Sequence, residues 1–213
     1  MQTVHKIVVF FDICSSTTIL EDLLRTNNQH RWRSLLIRLK KFLFKERDSL
    51  GFLIYKFLGD GWVLVFEMER IEGNQLLDFL NRLALEYDRL FRKCLSLVLE
   101  GGNRSTGITI GMDSGPLVRL IMDQKEEFIG RPLNVAARLQ GAIKQRGNRP
   151  QKNNALVSKH TFDELGLAST RFQNCLVRRE LKNISGGERY QARKIFLVTQ
   201  RVLKLVKSSS LRT

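Results

Sequence analysis

A chain of 213 residues with 43% hydrophobic and 27% charged side chains can form one domain with a real core and has the balance of an ordinary globular protein. No apolar run reaches bilayer length and the N-terminal residues lack a signal-peptide pattern, so a cytoplasmic protein without stable membrane insertion is expected. The net charge of +15 points to an anionic partner: nucleic acid, an anionic membrane surface or a polyanionic small molecule such as a nucleoside triphosphate. No zinc-finger, RNP or helix-turn-helix pattern accompanies that charge, which argues against nucleic acid. Cys14, Cys94 and Cys175 are scattered, and His5, His30 and His160 are isolated, which argues against a zinc site or a histidine triad.

In chain order, Lys6 to Phe11 is a continuous apolar run typical of a buried strand, read over residues 5–12, with Asp12 at its end. Ser15, Ser16, Thr17 and Thr18 are good openers for a helix whose apolar face is Ile19, Leu20, Leu23 and Leu24. Trp32, Leu35, Leu36, Leu39 and Phe42 keep helical spacing through a second helix. Phe52–Tyr55 and Trp62–Phe66 flank Gly59-Asp60-Gly61, which reads as a tight hairpin with a carboxylate at its tip. A long third helix carries the stripe Leu76, Leu80, Leu83, Tyr87, Leu90, Phe91 and Cys94.

A polar loop is expected at Glu100–Ser105, a strand at Thr106–Met112, a turn at Asp113-Ser114-Gly115-Pro116 and a further strand at Leu117–Met122. Asn134–Gln145 reads as a helix and Gly147–Asn154 as a basic loop. A short strand at Ala155–Val157 and a short helix at Ser158–Leu165, capped by Ser158, come next. Phe172–Leu181 and Lys194–Val198 are closing strands, and Leu203–Thr213 is a basic, Ser-rich, mobile tail. The order implies an α+β, ferredoxin-like sandwich, with one domain over residues 1–200 and the tail over 201–213.

Asp12 and Asp60, at the ends of central strands beside a helix start, suit a divalent metal and phosphate. Either carboxylate alone would equally read as a cap or a turn former. Four segments together carry more. They are Phe10-Phe11-Asp12-Ile13 with Ser16-Thr17; Lys56-Phe57-Leu58-Gly59-Asp60-Gly61; Gly107-Ile108-Thr109-Ile110-Gly111 with Gly115; and Ile129-Gly130-Arg131-Pro132-Leu133-Asn134-Val135-Ala136-Ala137-Arg138-Leu139. In this order and spacing the chain resembles the catalytic domain of class III adenylate and guanylate cyclases, from about residue 5 to residue 166.

The resemblance implies attack of a ribose 3′-oxygen on the α-phosphorus of a nucleoside triphosphate, with release of pyrophosphate. It implies two divalent ions, Mn²⁺ or Mg²⁺, held by Asp12 and Asp60 with the backbone of Ile13, and phosphates held by Cys14, Ser15, Ser16 and Thr17. The family usually carries Gly where Ser15 stands. Asn134 and Arg138, one helical turn apart, match the ribose-orienting Asn and the Arg that stabilises negative charge in the transition state. Family members act as head-to-tail homodimers, one protomer supplying the carboxylates and the other Lys56, Asn134 and Arg138.

Lys56 and Glu127 match the base-reading Lys and Asp of adenylate cyclases, with Glu one methylene longer than Asp. Tyr55 precedes Lys56, and strand alternation turns it to the opposite face, so it reads as a packing aromatic. In motif wording the chain is similar to the short pyrimidine cyclases of Pycsar antiphage systems. That likeness implies cUMP or cCMP production as a defence signal sensed by a separate effector. An ordinary adenylate cyclase is the second reading. A degenerate module that binds nucleotide or RNA without turnover is the third.

Overall fold

The apolar run that ends at Asp12 is buried on both faces, and the fold is built around it. The computed structural model describes residues 2–99, 106–143 and 152–197. Strand β1 (Gln2–Ile13) sits at the middle of an eight-stranded sheet. Its odd-numbered residues Ile7, Val9, Phe11 and Ile13 enter the main core, whereas Val8 enters a smaller cluster on the opposite face. β3 (Gly61–Glu67) divides in the same way, with Trp62, Leu64 and Phe66 on one side and Val63 and Val65 on the other. A strand covered on both faces needs no polar alternation, which is why these runs are continuously apolar.

The sheet order is β2 (Leu53–Phe57), β3, β1, β4 (Ile108–Met122), β6 (Asn154–Ser158), β8 (Tyr190–Phe196), β7 (Asn174–Arg179). β5 (Lys125–Ile129) pairs with β4 off this path. All pairings are antiparallel except β4 with β6. Helices α1 (Ser16–Arg25), α2 (Gln29–Leu50) and α3 (Gly73–Cys94) cover the main core face. The α3 stripe Leu76, Leu80, Leu83, Tyr87 and Leu90 is fully buried, as its helical spacing requires. The other face carries α4 (Arg131–Ala142) and the β5 arm, with Leu117, Phe128 and Ala136 packed on Val8, Val63 and Val65. α5 (Lys159–Glu164) is capped as expected, the Ser158 hydroxyl accepting from the Thr161 N–H. No described helix is long and apolar enough to cross a membrane.

Two expectations change. Asp113-Ser114-Gly115-Pro116 is not a turn: β4 runs unbroken through it, with Val8 opposite Asp113 and His5 opposite Pro116. On its other edge β4 pairs with β6 up to Met112 and with β5 from Val118. The intervening segment meets α5 instead: the Ser114 N–H donates to Thr161 Oγ1 at 2.7 Å, and Asp113 pairs with His160 at 3.1 Å. A proline is tolerated in such a stretch because no neighbouring strand claims its missing donor. Second, residues 125–129 form β5, where no element was expected; its charged sequence Lys-Glu-Glu-Phe-Ile lacks a strand signal. The loop expected at Glu100–Ser105, most of that at Gly147–Asn154, the last residue of the strand expected to end at Val198, and the tail lie outside the described residues.

The seat of α4 is set by one missing side chain. A Cβ at Gly111 would lie 2.0 Å from the Ala136 carbonyl oxygen and 2.4 Å from the Gln140 nitrogen, both helix backbone. Gly111→Ala is therefore expected to destabilise the protein by about 1–3 kcal/mol, since the helix must lift off the strand. Urea denaturation of the two proteins checks this.

Candidate active site

Asp12 is opposite Gly61 of β3 and Thr109 of β4. A Cβ at Gly61 would sit 2.0 Å from the Phe11 carbonyl oxygen, so the hairpin backbone is drawn tight against β1 there. That approach sets Asp60, the residue before Gly61, beside the end of β1. The Ser16 hydroxyl, in the first turn of α1, donates to Asp60 Oδ2. The Gln140 side-chain amide, from α4, donates to Asp12 Oδ2 at 3.3 Å and to Thr109 Oγ1 at 2.8 Å. Two carboxylates, a serine hydroxyl and a helix N-terminus thus meet at one end of the central strands. Sequence reasoning does not single out Gln140; its place about one and two-thirds turns after Asn134 is the available signal.

The phosphate candidates divide. The Cys14 N–H donates to the Gly107 carbonyl at 2.9 Å, so that group is already used within the fold. Ser15 caps α1 in the left-handed region, with φ +59° and no side-chain capping bond. Ser16 and Thr17 open the first helical turn, where N–H groups have no acceptor within the helix. Ile13 is fully buried and its backbone pairs with Ile108. The donor set is oxygen throughout, which fits Mg²⁺ or Mn²⁺. Among the described residues no three His, Cys, Asp or Glu side chains gather, so substrate phosphate and water would complete the coordination.

Lys56 and Glu127 meet directly, Nζ to Oε2, at 3.0 Å. Tyr55 joins them. Its hydroxyl donates to Glu127 Oε2 and accepts from the Phe128 N–H at 3.1 Å, and its ring meets Phe128 edge-on at 5.5 Å. Strand alternation put Tyr55 on the far face, but the β2–β3 register shifts between Ile54 and Lys56. That bulge turns two successive side chains toward one carboxylate. No Gly or Pro in Leu53–Phe57 marks it in the sequence. The Tyr55 hydroxyl, then Lys56, hold the Glu127 carboxyl below its ordinary range. Glu127 raises Lys56, while burial and then Glu127 raise Tyr55. The site therefore presents a carboxylate and an ammonium side by side.

Asn134 and Arg138 are exposed on α4, whereas Val135, Ala136 and Leu139 are buried beneath them. At about 100° per residue, Arg138 lies about 160° and Asn134 about 120° around the helix from Gln140, the residue that reaches Asp12. α4 thus turns this pair away from the carboxylates of its own chain.

No family model matches the chain, and no curated protein matches it in sequence. Solved structures do. The chain is similar to the adenylyl cyclase CyaB from P. aeruginosa, at TM-score 0.66 and 19% identity, over 94% of this chain and 98% of that one. It is similar to the guanylyl cyclase Cya2 at TM-score 0.63 and 15% identity, over 91% of each chain. It is also similar to the catalytic core of a rhodopsin-guanylyl cyclase with converted specificity, solved with ATPαS, at TM-score 0.62 and 17% identity, over 92% and 98%. The fold is that of class III nucleotidyl cyclase catalytic domains: a mixed, mostly antiparallel sheet with helices packed on it.

Ser15 is strained where glycine would be relaxed. Ser15→Gly is expected to stabilise the fold by about 0.5–1 kcal/mol, a rise in Tm of about 2–3 °C, read by differential scanning calorimetry.

Proposed function

We propose that this protein is a nucleotidyl cyclase, converting a nucleoside triphosphate to a 3′,5′-cyclic nucleotide and pyrophosphate at sites shared between two copies of the chain. The observation that carries this reading is the convergence of Asp12 and Asp60 at the start of α1, with Asn134 and Arg138 facing away from them on α4. Asp12 and Asp60, with the Ile13 backbone, would hold two divalent ions. Those ions, when bound, lower the pKa of the attacking hydroxyl and neutralise phosphate charge.

The residues of the chain do the rest. Ser16 and Thr17 offer first-turn N–H groups to the phosphates, where the helix dipole also favours an anion. Ser16 keeps Asp60 aimed at the phosphates. The partner copy brings Asn134 to the ribose and Arg138 to the charge that develops on the α-phosphate. Lys56 donates to a base carbonyl or ring nitrogen, and Glu127 accepts an N–H from the same base edge.

For the base, we favour a pyrimidine, UTP before CTP. Two features support it: Glu127 is longer than the Asp of adenylate cyclases, and the Tyr55 hydroxyl holds its carboxylate, which together would narrow the base pocket against a purine. An adenine edge also offers one acceptor and one donor to this pair, which keeps ATP as the second reading. The role would be a defence signal read by a separate effector.

Asp12→Ala and Arg138→Ala are each expected to lower kcat by at least about 10³-fold while circular dichroism stays unchanged. Mixed one to one, they should recover about a quarter of wild-type activity, because half the dimers then carry one intact site of two. Absence of recovery in proven heterodimers would overturn the shared site. Incubation with each of the four triphosphates and Mn²⁺ should show kcat/KM highest for UTP, because a polar pair that the bound base covers rejects a base that leaves it unmatched. A clear preference for ATP would replace the pyrimidine reading with the adenylate one.

A further inference from the structure

A second cleft lies on the opposite side of the hairpin from the base-reading residues, between α2 and the β2–β3 tip. It has a volume of about 320 Å³ and is lined by Trp32, Leu36 and Ile37 of α2, by Phe57 and Trp62 of the hairpin, and at its edge by Arg33 and Lys40. On α2 these lie at i, i+4, i+5, the cations flanking at i+1 and i+8, so one helix face supplies an apolar strip with positive ends. The volume is at the lower end of the range used for small ligands.

Two independent features distinguish this cleft from an ordinary surface dent. Phe57 and Ile37 are 55% and 43% exposed on its two walls, leaving a large apolar surface in water. Trp62 is 2% exposed and forms the floor of the cleft, with the Phe57 ring 4.9 Å away. Arg33 has no ion-pair partner among the described residues, and Lys40 rests over the Phe44 ring at 5.7 Å. Exposed aromatic and aliphatic walls with positive charge at the edge complement one kind of molecule.

We infer that this cleft is a binding site for a small organic anion with a flat apolar body, an aromatic carboxylate or sulfonate. The body lies between Trp32, Leu36 and Phe57, and the acid group is held by Arg33 and Lys40. The inference does not rest on the cyclase reading.

The two tryptophans of the chain, Trp32 and Trp62, both line this cleft, so a probe seated there quenches both at the shortest range, and the charge variants localise it. The probe is 8-anilino-1-naphthalenesulfonate, which accepts energy from tryptophan. Saturable transfer is expected, weakened about tenfold or more by Arg33→Glu with Lys40→Glu, because the charge-assisted contacts to the sulfonate are lost and replaced by repulsion. Arg178→Glu with Lys182→Glu removes the same charge from another part of the surface and should leave transfer within about twofold. Neutral N-phenyl-1-naphthylamine, the same body without the sulfonate, should bind at least about tenfold more weakly. The inference is overturned if transfer does not saturate below about 1 mM, if both double variants weaken it equally, or if the neutral amine binds as well. Tighter capture of an acidic peptide than of the sulfonate would also overturn it, in favour of a protein partner. Circular dichroism of each variant establishes that it is folded.

Discussion

Asp12 faces Gly61 on one side and Thr109 on the other, and that double pairing of β1 decides where every polar group near it can go. Because β1 is central and its neighbours press on its backbone, the carboxylate cannot drift along the sheet. The tight approach at Gly61 carries the hairpin tip to it, and the approach at Gly111 brings α4 close enough for Gln140 to reach it. Both close contacts are backbone to backbone, where no flexible side chain can absorb an error. The apolar packing on either side of the sheet supplies the stiffness that keeps these positions.

The same scaffold separates groups as firmly as it joins them. Gln140 and Arg138 are two residues apart on α4 yet face nearly opposite ways. One anchors the helix to the carboxylate of its own chain, and the other stands in solvent. On β2 the bulge does the reverse, gathering Tyr55 and Lys56 onto one carboxylate supplied by the β5 arm. An exposed ion pair of this sort adds little stability. Its effect is positional: with the tyrosine hydroxyl fixing the same oxygen, the lysine ammonium has one preferred place. The turning of Asn134 and Arg138 away from the carboxylates, on a helix that itself touches Asp12, is the geometric motive for the proposed shared site.

Much of this was legible in the sequence because it rests on composition and period. The buried runs of β1 and β3, the stripe of α3, the Gly-Asp-Gly tip and the Ser158 cap follow from local chemistry. The elements that escaped depend on tertiary partners. β4 continues through Gly115-Pro116 because α5 and β1 hold it there, not because those residues favour a strand. β5 is a polar strand stabilised by the hairpin it closes and by the single side chain Phe128. Tyr55 was assigned to the wrong face because period-two alternation assumes an unbroken ladder, and a bulge is visible only in the pairing. The carboxylates were found through pattern; their hydrogen-bond partners Ser16 and Gln140 required coordinates.

The unbroken course of β4 makes it a ruler. Its first residues lie beside Asp12, through Thr109, and its last lead into the hairpin that carries Glu127 to β2. At about 3.4 Å per residue, fifteen residues span about 50 Å before twist. Inserting or deleting one residue between Met112 and Val118 would invert every side chain beyond it, leaving the surroundings of Asp12 intact while Phe128 swung off the sheet. Length variation in relatives of this chain should therefore collect in connections such as the one after α3, and hardly ever inside this strand.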